Sequence, residues 1–357
     1  MPNVARVRLF QLSLTAIAVL ASSTYARAAT VVACVGDSIT AGYNLSGNQS
    51  YPSQLGSMLG SAYVVKNYGV SGTTMLKNGN SPYWGTSAYS SSLTSSPNYV
   101  LIQFGTNDSK PSNWNAHGSE FVGDYESMIA TYQGLSTQPT VMPCFITPYF
   151  LPNPWPTDFP DPSRIPNLIE PAIQQVITDT ASPSIDNYTP FVGQSQWFGD
   201  GIHPTVDGAH ILARNAYNAV TGANLTVLTG VNINDGGGSS GGNPATAAFD
   251  INSTTYYDAT RATGAWTGID LGSANTKTLR MISYTPRSGR ETRMVGGIFQ
   301  ASNDLINWTT LGTVSSRPAD TYSVIPVNGA PLYRYLRYYS AGSNSHGNVA
   351  EVEFLGN

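Results

Sequence analysis

Two apolar runs that each end in a short polar turn constrain the fold of this chain most. Residues 31–35 and 100–104 are almost wholly apolar, and Gly-Asp-Ser-Ile at 36–39 and Gly-Thr-Asn-Asp at 105–108 follow them at once. Such runs are typical of strands that are buried on both faces of a parallel sheet. Residues that follow parallel strands meet at one edge of the sheet. We therefore predict an α/β fold, a doubly wound parallel sheet with polar side chains gathered at that edge.

Ser38 is the candidate nucleophile at this edge. A serine hydroxyl attacks poorly until a base takes its proton, and His203 is the candidate base. Asp200 lies three residues before His203, a spacing that lets its carboxylate hold one imidazole nitrogen while the other faces the serine. The three residues predict a Ser-His-Asp catalytic triad.

The negative charge that develops on an attacked ester carbonyl needs hydrogen-bond donors about 3 Å away. We expect three: the backbone N–H of Ser38, the backbone N–H of Gly69 after the strand-like residues 63–65, and the side-chain amide of Asn107. Two further carboxylates, Asp37 and Asp108, lie in the same turns. Carboxylates in turns commonly accept backbone N–H groups, so we expect both to be structural.

Four segments together carry a family resemblance: residues 36–39, 67–69, 105–108 and 200–203. In this order they resemble the blocks of the SGNH hydrolase superfamily, the GDSL-type esterases, over about residues 30 to 222. The resemblance implies a flavodoxin-like sheet of strand order 2-1-3-4-5 and no cofactor for catalysis. The residues that it assigns are Ser38, Asp200 and His203 as the triad and Ser38, Gly69 and Asn107 as the oxyanion hole.

Residues 105–114 resemble the SGNH enzymes that act on acetylated carbohydrates. The sequence therefore predicts a secreted serine esterase that removes O-acyl groups, above all acetyl, from a carbohydrate through an acyl-enzyme. The alternatives are a lipase or arylesterase of the same superfamily, and a carbohydrate-binding protein with a degenerate hydrolase domain.

Two long loops, residues 73–97 and 148–162, are expected to border the substrate site, because loops at this edge of a sheet commonly carry specificity. Their aromatic residues would either form a platform for sugar rings or pack onto the domain. These residues are Trp84, Tyr149, Phe150, Trp155 and Phe159.

From about residue 224 the pattern changes to short β-branched and aromatic runs, as in an all-β domain. Residues 250–255, 266–272, 299–308 and 350–353 resemble discoidin-like (coagulation-factor C-type) domains. The resemblance implies a jelly-roll sandwich over residues 223–357 that acts as a carbohydrate-binding module. The glycine-rich residues 236–242 are predicted to be a loop inside this domain, because residues 225–233 already have the pattern of a strand.

The discoidin-like resemblance also implies a structural Ca²⁺. Asp250, Asn252, Thr255 and Glu351 offer the oxygen ligands that Ca²⁺ prefers. Ile251 stands where the family usually has glycine, and the alternative is a plain polar turn. For sugar contacts, the resemblance suggests exposed aromatic residues and the arginines Arg287, Arg290 and Arg293.

The first 28 residues have the pattern of a signal peptide. Arg6 and Arg8 precede an apolar stretch, and Ala-Arg-Ala at 26–28 is typical of a cleavage site. We therefore expect residues 29–222 to form the catalytic domain of a secreted or periplasmic protein. No later stretch reaches 18 apolar residues, which predicts a mature protein without a membrane span.

Charge argues against one class of partner. Residues 29–222 contain 12 acidic and 5 basic side chains, and residues 223–357 contain 9 of each. An acidic catalytic half disfavours nucleic acid as a ligand, so the expected partner is an acylated carbohydrate.

The two cysteines are not expected to form a disulfide. Cys34 lies in the first predicted strand and Cys144 in the fourth, and in the order 2-1-3-4-5 the third strand lies between them. Two strand spacings exceed the reach of a disulfide.

Overall fold

A computed structural model describes residues 28–152, 158–159, 161–236, 238–329 and 331–357. The predicted signal peptide lies outside these residues except for Ala28. None of the helices within the described ranges is long and apolar enough to cross a membrane.

The N-terminal half is built on a parallel sheet with helices on both faces. Its strands are β1 (Thr30–Gly36), β2 (Tyr63–Gly69), β3 (Tyr99–Gln103) and β4 (Thr140–Pro143). Their spatial order is β2-β1-β3-β4, as predicted. Beyond β4, Cys144 forms a parallel bridge to Ile185, where the predicted order has a fifth strand.

Alternate residues of β1 explain why the strand is continuously apolar. Val32 and Cys34 belong to one buried cluster, whereas Ala33 and Val35 belong to another on the opposite face. The helices that cover the faces are α1 (Ser38–Ala41), α2 (Tyr51–Leu59), α3 (Ser87–Thr94), α4 (Pro111–His117), α5 (Phe121–Gln133), α6 (Glu170–Thr180) and α7 (Val206–Thr221). A π-helical turn, Ile165–Ile169, leads into α6.

The two cysteines are free and buried, which confirms the prediction. Strand β3 separates β1, which carries Cys34, from β4, which Cys144 follows. Burial raises the pKa of the Cys34 thiol to about 12 and that of Cys144 further. Both thiols therefore stay protonated.

Helix α7 begins soon after the loop that carries the candidate base. Thr205 caps the start of the helix, and its hydroxyl accepts the N–H of Gly208. Gly222, in the left-handed conformation, caps its end.

The C-terminal part is an all-β sandwich of two antiparallel sheets. Its strands are β5 (Thr226–Val227), β6 (Val231–Asn234), β7 (Trp266–Asp270), β8 (Leu279–Thr285), β9 (Ile298–Ser302), β10 (Thr309–Thr313), β11 (Ser323–Pro326), β12 (Tyr335–Tyr339) and β13 (Glu351–Gly356). The sheet orders are β10-β9-β12-β7-β6 and β11-β8-β13-β5. Residues 225–233, predicted as one strand, form β5 and β6 with a break between them, and the glycine-rich tract follows β6 within the sandwich.

Polar side chains of α7 pack against the sandwich. Arg214 Nη1 lies 2.7 Å from Glu353 Oε2, and His210 Nε2 lies 3.0 Å from Ser283 Oγ. The other ring nitrogen of His210 is 3.0 Å from Gln54 Oε1 on α2. We call these five side chains the His210 cluster; it joins two helices of the parallel-sheet half to β8 and β13.

Apolar contacts extend the same junction. Leu225, Met281 and Leu355 belong to the buried cluster that covers one face of the parallel sheet. Nearby, the Tyr322 hydroxyl donates to Asp207 Oδ1 in the first turn of α7 (2.9 Å). Beside its own buried cluster, the C-terminal part therefore contributes side chains to the core of the parallel-sheet half.

Candidate active site

The side chains of Ser38, His203 and Asp200 form a continuous hydrogen-bonded chain. Ser38 is the first residue of α1, directly beyond β1, and its Oγ lies 2.9 Å from His203 Nε2. His203 Nδ1 lies 2.7 Å from Asp200 Oδ2. The structure therefore brings together the three residues of the predicted triad, although they lie up to 165 positions apart in sequence.

The Asp200 carboxylate is held by its own loop. Its Oδ1 accepts the backbone N–H groups of Ile202 (3.0 Å) and His203 (2.7 Å). Partial burial opposes ionisation, but these hydrogen bonds outweigh it and lower the pKa of Asp200. An ionised Asp200 fixes the orientation of the imidazole and stabilises its protonated form.

One predicted oxyanion donor is used elsewhere. Strand β2 continues to Gly69, four residues beyond the predicted residues 63–65, and the Gly69 N–H donates to Asn67 Oδ1 (2.9 Å). Gly69 has a packing role instead, since a Cβ there would collide with the backbone of Ala41. The structure thus disagrees with Gly69 as a donor.

Another glycine, Gly72, lies beside the candidate nucleophile. It lines the cavity beside Ser38 and Asn107, and its φ of +83° suits glycine. No hydrogen bond is formed by the Gly72 N–H within the described residues. The Ser-Gly pair at 71–72 is an ordinary turn signal, and it was missed because β2 was predicted too short.

Asn107 lies beside Ser38 in the same cavity. Its side-chain nitrogen donates to the Thr73 carbonyl (3.0 Å), which fixes the amide and leaves one N–H for another acceptor. The Ser38 N–H is at the first position of α1, where helices leave backbone donors unpaired.

The two neighbouring carboxylates accept backbone N–H groups, as predicted. Asp37 Oδ1 accepts from Ile39 (3.0 Å), and the Asp108 carboxylate accepts from Met75 (3.2 Å) and Leu76 (2.8 Å). Burial raises the pKa of Asp37 to about 6 and that of Asp108 to about 7. Both carboxyls secure the loops around the site.

A cavity of about 160 Å³ opens beside Ser38 and His203. It is much smaller than the 300 Å³ or more of typical drug-sized pockets. Its lining consists of Ser38, Tyr43, Ser71, Gly72, Thr106, Asn107, Lys110, Tyr149, Phe159, Ile202 and His203.

The aromatic residues of the two long loops divide between the cavity and the core. Tyr149 and Phe159 line the cavity. Trp84 instead donates to the Met75 carbonyl (2.7 Å), and Phe150 packs on Phe198. Trp155, the last of the five aromatic residues named in the sequence analysis, lies outside the described residues.

The four predicted calcium ligands lie near one another in the sandwich. The Thr255 hydroxyl donates to Asp250 Oδ2 (2.8 Å), and the Asn252 N–H donates to Glu351 Oε2 (3.3 Å). Ile251, at the usual glycine position, adopts a left-handed φ of +55°. The described residues include no cluster of three or more His, Cys, Asp or Glu side chains that could hold a metal ion.

The three suggested sugar-binding arginines differ in their contacts. Arg287 stacks on Tyr256, 3.8 Å from the ring centroid, and forms an ion pair with Asp258 (2.9 Å). Arg293 shares Asp258 at 3.6 Å, and Arg290 donates to the Gly289 carbonyl. These contacts leave their sugar-binding role a prediction.

The family model of the GDSL-like Lipase/Acylhydrolase family matches residues 34–211. This part of the chain belongs to that family. The match includes Ser38, Asn107, Asp200 and His203.

Three similar proteins cover different parts of the chain. An acetylxylan esterase of Xylanibacter ruminicola is 35% identical over an alignment of 202 residues, which covers 51% of this chain and 41% of that relative's length. The CBM62 module of Clostridium thermocellum Xyl5A is 39% identical and covers 37% of this chain and 97% of its own, with a TM-score of 0.35. The native aryl esterase of M. smegmatis is 20% identical and covers 54% and 99%, with a TM-score of 0.44.

Proposed function

We propose that this protein is a serine esterase that removes O-acetyl groups from a carbohydrate. The chain of hydrogen bonds from Asp200 through His203 to Ser38 beside a small cavity carries the proposal. Membership of the acylhydrolase family and the similarity to an acetylxylan esterase support it.

Acylation begins when Ser38 Oγ bonds to the ester carbonyl carbon and His203 Nε2 takes the hydroxyl proton. The carbonyl oxygen becomes an oxyanion that accepts hydrogen bonds from the N–H groups of Ser38 and Gly72 and from the Asn107 amide. His203 then gives the proton to the sugar oxygen as the C–O bond breaks. Asp200 stabilises the imidazolium that forms in between.

Deacylation repeats these steps with water. His203 takes a proton from the water, the hydroxide oxygen bonds to the acyl carbon, and the proton returns to Ser38 Oγ as acetate leaves. Because His203 must be unprotonated to act as base, we expect kcat/KM to rise with pH until the imidazole has lost its proton. This scheme needs no cofactor.

The small cavity favours a short acyl group. An acetyl group fits a cavity of about 160 Å³, whereas a long acyl chain needs a longer groove. Nitrophenyl esters of increasing acyl length test this point. Faster turnover of octanoate than of acetate would favour the lipase alternative, and hydrolysis of aryl acetates without hydrolysis of sugar acetates would favour an arylesterase.

Ser38→Ala tests the assignment of the nucleophile. We expect acetate release from acetylated xylan to fall by about 10⁴-fold or more, with unchanged folding by circular dichroism. Ser57→Ala, an exposed serine on α2, is the matched control and should retain full activity. Near-normal hydrolysis by Ser38→Ala would refute the triad.

A structural Ca²⁺ in the sandwich is a second part of the proposal. The Glu351 Oε1 atom is buried without a hydrogen-bond partner among the described residues, and Asp250 and Glu353 help burial to raise the pKa of Glu351 to about 9. A cation held by Asp250, Asn252, Thr255 and Glu351 would satisfy this oxygen and balance the carboxylates.

Thermal unfolding tests the calcium site. Ca²⁺ should raise the Tm of the wild type after treatment with a chelator, but not that of Asp250→Asn. If Ca²⁺ shifts the Tm of both proteins equally, or of neither, the loop that contains Asp250 is a plain polar turn.

The sandwich and the N-terminal segment complete the proposed function. We infer that the sandwich binds a carbohydrate polymer, on the basis of its discoidin-like segments. Residues 1–28 are proposed to direct export, so the enzyme would meet its substrate outside the cytoplasm.

A further inference from the structure

The loop that follows Ser38 reverses sharply toward the Asp200–His203 pair. Gly42 ends α1 in the left-handed conformation, and the N–H groups of Gly42 and Tyr43 both donate to the Ser38 carbonyl (3.0 Å each). Asn44 also has a positive φ, +66°. Two left-handed residues in this short segment bring Tyr43 and Asn44 back to the site.

Asn44 forms a hydrogen bond to Asp200 from a distant part of the sequence. Its Nδ2 donates to Asp200 Oδ2 at 3.2 Å, the same oxygen that faces His203 Nδ1. The other hydrogen bonds of this carboxylate come from its own loop, at Ile202 and His203. Asn44 therefore connects the loop of the nucleophile to the residue that orients the base.

Tyr43 packs against the base itself. Its ring centroid lies 4.5 Å from that of His203, with 43° between the planes, and 49% of the residue is exposed. It also lines the cavity beside Ser38. The leaving oxygen must receive its proton from His203 Nε2, so the sugar that carries this oxygen comes close to the imidazole on which Tyr43 packs.

The far end of this loop is anchored as well. Gln49 Nε2 donates to the Asp320 carbonyl in the sandwich (2.8 Å), and Gln49 Oε1 accepts the Ser46 N–H (2.9 Å). The segment from Gly42 to Gln49 is thus fixed to α1 at one end and to the sandwich at the other. Such anchoring is what a positioning element requires.

We propose that Tyr43 and Asn44 belong to the active site as well as the triad and the oxyanion donors. In this proposal Asn44 positions Asp200, and Tyr43 supports the leaving sugar ring. The inference rests on the esterase function proposed above. Asn44 is a positioning residue, because it acts through Asp200 and His203. Tyr43 is a binding residue, whose apolar ring face suits the C–H face of a sugar.

Asn44 is tested with full-length protein and 4-nitrophenyl acetate, which needs no sugar contact. Loss of the hydrogen bond in Asn44→Ala should lower kcat about 3- to 10-fold. Asn44→Asp adds a negative charge near the imidazolium, so the rising limb of the pH profile should move up by about half a unit to one unit. Asn48→Ala, an exposed asparagine of the same loop, is the control. If both Asn44 variants keep the wild-type kcat and the wild-type pH profile, the positioning role is wrong.

Tyr43 is tested by comparing two substrates. Tyr43→Ala should lower kcat/KM on acetylated xylo-oligosaccharides about 3- to 10-fold more than on 4-nitrophenyl acetate, and Tyr43→Phe should restore most of the difference. Equal losses on both substrates would overturn the sugar contact while leaving the esterase assignment intact. If the wild type hydrolyses the aryl ester but no acetylated sugar, both the carbohydrate specificity and the role of Tyr43 are wrong.

Discussion

His203 and His210 both lie beside a carboxylate, but the two pairs differ in burial and in the use of the second ring nitrogen. In the His203–Asp200 pair the side chains are 16% and 40% exposed, and Nε2 faces the Ser38 hydroxyl beside a cavity. In the His210–Glu353 pair both side chains are 1% exposed.

The His210 ring has no room for a substrate. Its two nitrogens contact Gln54 and Ser283, and its ring stacks on Tyr322 with centroids 3.8 Å apart. Burial alone would raise the pKa of Glu353, but the charges and hydrogen bonds of Arg214 and His210 lower it to about 2. The same two residue types are therefore suited to proton transfer where one nitrogen is accessible, and to holding elements together where both nitrogens are enclosed.

The largest expected effect is a difference in kcat between variants of the two histidines. His203→Ala should lower kcat on 4-nitrophenyl acetate by about 10⁴-fold, because the serine loses its base, while the Tm changes little. His210→Ala should retain kcat near the wild-type value at temperatures well below its Tm. The comparison fails if both variants lose activity equally while folded.

Removal of the sandwich takes Glu353 away from His210 altogether. A chain that ends at Gly222 exposes His210 and Arg214 and removes Leu225, Met281 and Leu355 from a shared core. We expect an insoluble or much less stable protein, measured by solubility and Tm. A soluble, fully active catalytic fragment that fails only on polymeric substrate would instead show that the sandwich is an independent targeting module.

Glu353→Ala tests, within the full chain, how much the His210 cluster contributes to stability. It leaves the Arg214 guanidinium, which is 13% exposed, without its carboxylate, and the loss of one partner of a buried ion pair costs about 3–5 kcal/mol of unfolding free energy. Asp179→Ala, an exposed carboxylate on α6, is the control and should cost less than about 0.5 kcal/mol. Urea unfolding measures both. A small effect in both variants would mean that the cluster adds no stability.

Glu170 extends the comparison to a third carboxyl group. It is largely buried, but unlike Asp200 and Glu353 it has no histidine partner. Its Oε1 accepts the Ile146 N–H, and burial raises its pKa to about 8. With the folded pKa above the unfolded one, its contribution to stability is full below pH 4.5 and is lost as pH rises through 8.

Glu170→Gln is neutral at every pH. The unfolding free energy of the variant minus that of the wild type should therefore increase from pH 5 to pH 9, by about 4 kcal/mol. Chemical unfolding at the two pH values measures the change. A constant difference would show that Glu170 is ionised throughout.

The surroundings of the two histidines also differ in how far they can be predicted from the sequence. The strand order, the loop positions of Ser38, Asn107 and His203, and the reduced cysteines follow from local patterns and their order along the chain. Gly72 was missed because its turn comes only after β2 has run to Gly69.

The His210 cluster could not be predicted. Its members come from α2, α7, β8 and β13, and Arg214 and Glu353 are 139 positions apart. Nothing local in the sequence relates them, since a buried ion pair arises only when distant elements pack. Asn44 was missed for the same reason, although Gly42 indicates the turn that brings it to Asp200.

The two protonated thiols have a consequence for where this chain can fold. Neither Cys34 nor Cys144 is accessible to an oxidant, and neither has a partner within bonding reach, so the native state gains nothing from an oxidising compartment. The same structure should form in a reducing cytoplasm and in a cell-free extract with dithiothreitol. Folding of this chain therefore does not depend on the redox state of its compartment.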